Sequence, residues 1–183
     1  MPYTFSDTQN RFFTVGCDTL ALILMVDQQG KNYTSQCLSA CNTRKKVIEG
    51  SCSGSGCCQI PIPKGLKSFV AMVASLSNHT NVWSFNPCSY AFMAEQEEYT
   101  FGAWDLMDRT SFVSKTKNVT VALNWAIGDK TCEEAKKDLA TFACQANSYC
   151  NNSDNSLGYH CTCYKGYEGN PYLSPGCQGM HAC

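Results

Sequence analysis

The residues of this chain with the widest chemical repertoire are its cysteines, 14 among 183 positions. Thiols at that density either hold metal or crosslink the chain. A zinc site wants close ligand pairs, typically Cys-x(2–4)-Cys twice, or one such pair with two histidines. Cys37 and Cys41 have that spacing, but no second compatible pair follows, and Cys161-Thr162-Cys163 is a poor chelate. Crosslinking is therefore the expected use, and it requires an oxidising, extracellular compartment. Four N-x-[ST] sequons fit that location, at Asn32, Asn78, Asn118 and Asn151, each a candidate glycosylation site.

Catalysis needs a positioned nucleophile or an acid–base pair. Of the three histidines, His79 falls inside a sequon, His160 between cysteines and His181 near the end, and all three are expected as solvent-exposed polar residues. Glu95, Glu97, Glu98, Asp105 and Asp108 could imitate the carboxylate pair of a glycosidase. A solvated acidic face is the expectation instead. No G-x-S-x-G, H-E-x-x-H or phosphate-loop pattern occurs. The chain is expected to be no enzyme and to hold no cofactor.

Composition narrows the classes further. Formal net charge is −1 and charged residues make up 16%. No nucleic-acid partner is expected of so neutral a chain, because such binders carry strongly basic domains. Disorder is excluded by an apolar content of 44%. The longest apolar run, Leu20 to Val26, is far short of the ~20 residues that cross a bilayer. A basic segment followed by an apolar one, the mark of a signal peptide, is missing too. Crosslinked cysteines without an export signal lead to the expectation of a piece of a larger secreted or membrane-anchored protein, with membrane attachment only through parts outside this chain.

The elements that must position these residues read as mainly β and disulfide-rich: an irregular β domain followed by a small cysteine-rich module. Val119, Val121, Leu123, Trp125 and Ile127 alternate with smaller or polar residues, the period of a half-buried strand. The continuous run Leu20–Val26 suits a strand covered on both faces. Leu66–Leu76 is compatible with a strand or a short helix. Thr131 and Glu134 form a capping box that could open a helix running to about Phe142, with an irregular loop as the alternative. Residues 1–131 hold seven cysteines and residues 132–177 hold six. Six cysteines allow fifteen pairings, and spacing alone does not choose among them.

The intervals in the second region, 11, 5, 10, 1 and 13 residues, resemble an epidermal-growth-factor-like module. Tyr159 before its fourth cysteine, and Gly166-Tyr167 after its fifth, fit that family. The resemblance implies bridges Cys132–Cys150, Cys144–Cys161 and Cys163–Cys177. Calcium is not expected, since Gly128-Asp129-Lys130-Thr131 offers one carboxylate to an ion that needs six to eight oxygens.

Longer stretches resemble the extracellular part of the plant wall-associated receptor-like kinases. They include Gly16-Cys17-Asp18-Thr19, Gly50-Ser-Cys-Ser-Gly-Ser-Gly-Cys-Cys-Gln59 and Trp83-Ser-Phe-Asn-Pro-Cys-Ser-Tyr-Ala-Phe92. Trp125-Ala-Ile-Gly128 and Gly166-Tyr-Glu-Gly-Asn-Pro-Tyr-Leu173 extend the match. The resemblance implies that 1–131 is the later part of a cysteine-rich galacturonan-binding domain, that 132–177 is one growth-factor-like module, and that 178–183 begins a truncated following module. It also implies a location on the cell-wall face of the plasma membrane, and a kinase in the full-length protein but not in this chain.

The ligand implied is cell-wall pectin, as polygalacturonic acid or oligogalacturonides, sensed for defence or growth signalling. A polyanion calls for cations placed to meet carboxylates. Arg44-Lys45-Lys46 is the one three-residue basic run, and Lys31, Lys64 and Lys67 add to the positive half of the chain. Trp83 and Trp104 could stack on sugar rings, although core packing is the expected place of both. The alternative function is an interaction or spacer module that recognises a peptide or co-receptor without polysaccharide. Pairing among Cys17, Cys37, Cys41, Cys52, Cys57, Cys58, Cys88 and Cys183 is not legible. Seven cysteines in 1–131 leave one without a partner there, to be matched upstream of Met1 or by Cys183.

Overall fold

In the computed structural model, which describes residues 3–180, the chain divides into two compact units. One is Phe5–Leu123, and the other joins Met1–Thr4 to Asn124–Cys183. The strands of the first part are β1 (Tyr3–Phe5), β2 (Asn10–Gly16), β3 (Asp18–Asp27), β4 (Asn32–Ala40), β5 (Gly56–Pro61), β6 (Leu66–Ser75), β7 (Tyr90–Glu95) and β8 (Leu123–Trp125). A helix α1 (Arg109–Thr116) and 3-10 turns at Arg44–Lys46 and Ala103–Leu106 complete it.

Two antiparallel three-stranded sheets, β5-β2-β7 and β4-β3-β6, form the body of Phe5–Leu123. Successive strand residues face opposite sides, and β2 uses this to serve two cores. Phe12 packs with Ala21, Ile23 and Met25 of β3. Phe13 and Val15 pack instead with Tyr99, Phe101, Leu106 and Phe112. The strand covered on both faces is thus β2. In β3, by contrast, Ala21, Ile23 and Met25 are buried while Leu24 is 42% exposed. The expectation of two-sided cover for Leu20–Val26 is corrected, because apolar content does not reveal that no layer lies over the second face.

The corner between the sheets is one residue wide. Gly16 ends β2 with φ +148°, and a Cβ there would collide with the Thr19 hydroxyl, so glycine is required. The fully buried Asn86 holds the next residue, its Oδ1 accepting from Cys17 N at 2.6 Å. Three bridges lace this unit: Cys17–Cys41, Cys37–Cys58 between β4 and β5, and Cys52–Cys57. Cys88 has no disulfide partner among the described residues.

Two further expectations are corrected in the segment 119–142. Val121, Leu123 and Trp125 are 36%, 52% and 45% exposed, and the strand itself, Leu123–Trp125, is only three residues long. The buried Asn10 bonds both the N–H and the C=O of Ala122, and half-buried Ala122 lies between exposed Val121 and Leu123. Period two sets alternation but not its phase. The helix at Thr131 is also shorter than expected. Its capping box is present, yet α2 covers only Cys132–Ala135. Leu66–Leu76 resolves as strand β6.

The second unit contains α2, β9 (Ser148–Asn152), β10 (Tyr159–Cys163), β11 (Tyr167–Gly169) and β12 (Cys177–Gly179), paired as two antiparallel ribbons. The six cysteines of 132–177 pair first with third, second with fourth and fifth with sixth: Cys132–Cys150, Cys144–Cys161 and Cys163–Cys177. So small a unit buries little apolar surface, and each crosslink contributes about 3 kcal/mol in the chain-entropy model. Cys183 and His181 lie outside the described residues.

Candidate functional site

The six candidate cations do not form one patch. Lys31 lies in the turn before β4, and the basic run Arg44-Lys45-Lys46 follows its far end. Nine strand residues at about 3.3 Å each put those ends roughly 30 Å apart. The Lys31 end also receives the β5–β6 connection, since Gln28 N donates to Gly65 O at 3.0 Å. Exposed Lys64 and half-buried Lys67 flank that contact. The Lys31 ammonium sits 5.0 Å over the Tyr33 ring, and Asp27 closes the same turn. Its carboxyl is held below the usual range by the Lys31 N–H above all, with burial opposing and with Tyr33 OH and Gln29 N–H adding to the lowering.

At the other end, Arg44–Lys46 form a 3-10 turn that buries none of its residues. Two contacts carry the following loop to the segment 101–104. Gly50 N donates to Phe101 O at 2.9 Å, and both Glu49 carboxylate oxygens accept from Ala103 N at 3.1 Å. Arg44 thereby lies with its guanidinium carbon 4.4 Å from the Trp104 ring centroid. That is a cation–π contact that leaves the guanidinium edges free to bond carboxylates. Lys46 also lines a cleft of about 450 Å³ with Cys17, Cys41, Asn42, Ser77 and Asn81. The one ion pair among the described residues, Lys115–Asp105 at 2.8 Å, involves none of the six candidates.

Sequence reasoning misplaced several residues here. Trp104 and Trp83 are 63% and 65% exposed and are not core residues. Aromatic content alone does not tell a packed ring from one left in solvent. Asp105 is the reverse case, buried where a solvated acidic face was expected. It accepts from Tyr99 OH at 2.8 Å, Gly102 N at 2.9 Å and Lys115 Nζ at 2.8 Å. Burial first, then the charge and hydrogen bond of Asp105, push the Tyr99 hydroxyl far above its ordinary value. Asp108 caps α1, accepting from Thr110 and Ser111. His79 and His160 are half-buried, not solvent-exposed. The His79 ring lies with Nε2 3.4 Å from Ser89 Oγ, and its Nδ1 is buried without a partner.

The sequons differ in setting. Asn32, Asn78 and Asn118 are exposed, whereas Asn151 is half-buried on β9 and donates from Nδ2 to Thr162 Oγ1 at 3.2 Å. Among the described residues, no three His, Cys, Asp or Glu side chains group as metal ligands. No helix among the described residues is long and apolar enough to cross a membrane.

A disulfide-laced β body joined to a three-disulfide module defines a crosslinked segment of the extracellular class. Comparison with known proteins sharpens the class to a family. Residues 49–133 match the family model described as wall-associated kinase. The chain is 39% identical to wall-associated receptor kinase 2 of Arabidopsis thaliana over 184 residues, covering 99% of this chain and 23% of that protein. Wall-associated receptor kinases 3 and 5 of the same plant are 37% and 38% identical, over 96% and 95% of this chain. They are covered over 24% and 23% of their own lengths. The chain is thus a relative of the wall-associated receptor kinases, corresponding to their extracellular region and spanning about a quarter of their length. No solved structure matches it.

Proposed function

We propose that this chain is the non-catalytic ligand-binding region of a wall-associated receptor kinase, and that it binds pectin as polygalacturonate or oligogalacturonides for defence or growth signalling. The observation that carries this reading is Arg44 stacked on Trp104 at 4.4 Å beside exposed Lys45 and Lys46. An aromatic face with a cation bound to it suits a sugar ring bearing a carboxylate, the ring packing on carbon and the carboxylate meeting the guanidinium edge. Exposed lysines on the same turn add long-range attraction for a polyanion, which weakens as salt rises.

The test is titration of defined oligogalacturonides into the wild-type chain and into Arg44→Ala/Lys45→Ala/Lys46→Ala, at low and high salt. Affinity that falls both with salt and with the triple change supports the reading. Absence of binding to the wild type, or affinity indifferent to both, rejects it.

A further inference from the structure

From Leu20 to Val26 the outward face of β4-β3-β6 carries no charged side chain; Asp18, paired with Ala40, stands at its end. At its centre, Leu24 lies opposite Thr34 on β4 and Val70 on β6. Val70 is 61% exposed, Leu38 50% and Met72 49%. The largest apolar patch on a monomeric protein is typically about 300–600 Å² and often has a function. Three strands about 4.8 Å apart, with seven residues each at about 3.3 Å, give a footprint of roughly 300 Å². A stable protein interface takes about 800 Å² from each partner, so the area argues against a second copy as the resident occupant.

The face carries an attachment point of its own. Asn32 is exposed, pairs with Val26 and shares the outward side with Thr34, so both defining residues of its sequon stand on the apolar face. Leu24 is its diagonal neighbour, about 7 Å away by strand geometry. We infer that Asn32 is N-glycosylated and that its glycan lies over this sheet face, sugar C–H faces and N-acetyl methyls covering Leu24, Val70 and Met72. A polyprenyl-diphosphate oligosaccharide is the donor. The Asn32 amide nitrogen bonds the anomeric carbon of an N-acetylhexosamine, the bond from that carbon to the diphosphate breaks, and the displaced diphosphate and the amide proton leave. A neutral glycan suits a face that offers no charge to pair. Asn118 carries the comparison, being an exposed sequon outside this sheet.

The experiment is expression of the full chain through a secretory route, with mass mapping of glycan occupancy. Binding of an apolar fluorescent dye and sedimentation are then compared among wild type, Asn32→Gln, Thr34→Ala and Asn118→Gln. Thr34→Ala removes the same sequon while keeping Asn32, so the test does not depend on one variant folding. Expected are an occupied Asn32, several-fold more dye bound by Asn32→Gln and Thr34→Ala, and no increase for Asn118→Gln. An unmodified Asn32, or dye binding unchanged in both sequon variants, overturns the inference. So does a glycosylated wild type that self-associates and loses that association on Met72→Lys, since a second copy would then occupy the face.

Discussion

Asn10 holds Ala122 across 112 residues of sequence, its Nδ2 donating to Ala122 O at 2.7 Å and its Oδ1 accepting from Ala122 N at 2.9 Å. A side-chain amide here does the work of a neighbouring strand, ending the unit's last segment against β2. Asn10 is fully buried, so Asn10→Ala leaves the Ala122 N–H without its acceptor at about 1–3 kcal/mol, while Ala122 O keeps the bond it accepts from Ser6 N at 3.0 Å. The denaturant midpoint should fall accordingly with an unchanged slope. Asn10→Asp, although isosteric, should be worse than Asn10→Ala, since it deletes the donor and buries a charge.

Trp104 separates binding from stability. An exposed cation–π pair is worth about 0.5–1 kcal/mol, so Trp104→Ala should move the unfolding midpoint little. Its affinity for oligogalacturonides should fall while the salt dependence of the residual binding persists, because all three cations remain. Calorimetric titration at two salt concentrations reads both effects, and unchanged affinity would remove Trp104 from the proposed site.

Thiol chemistry distinguishes Cys88 from the twelve bridged cysteines. Alkylation of denatured, unreduced protein should leave those twelve unmarked. Converting Cys37 and Cys58 together to serine should destabilise the chain by about 3 kcal/mol, from loss of a loop of 21 residues. Cys88→Ser should change stability far less, and peptide mapping with a denaturation series checks both statements.

Acid should loosen the turn after β6. Asp18 accepts from the Ser75 hydroxyl, from Ser77 N at 3.0 Å and from His79 N at 2.9 Å. Burial raises its pKa, but the bonds from Ser75, His79 and Ser77, together with the charge of His79, outweigh burial and leave the carboxyl below its ordinary value. A carboxyl lowered by folding stabilises above its unfolded value, about 3.9, and that contribution is lost as pH falls through the folded value. Asp18→Asn should therefore have a lower unfolding midpoint than wild type at neutral pH, and the two should converge below about pH 4. A constant difference across the series would refute the role assigned to Asp18.

Much of the chain was legible before any coordinates. The β-rich, disulfide-rich class followed from cysteine density and strand-period runs, and the capping box at Thr131 marked the start of α2 correctly. Its end was not legible, because Cys132–Cys150 and the turn after Lys136 compete with a helix whose propensity is modest. The buried state of Asp105 was invisible as well, since it depends on Tyr99 and Lys115 converging from either side. Likewise the six cations read as a single positive half, yet β4 holds Lys31 and Arg44 roughly 30 Å apart.

Sequence alone determined the mainly β, disulfide-rich class, the number of cysteines available for crosslinking and the family to which the chain is similar. Those follow from residue type and spacing along one dimension. Only the tertiary structure decided that Cys88 is the cysteine without a disulfide among the described residues, that Trp104 faces solvent under Arg44 and that β3 is covered on one side. Each of those depends on which distant segments meet, and pairing between strands sets that in three dimensions, where a shift of one residue exchanges the inside for the outside.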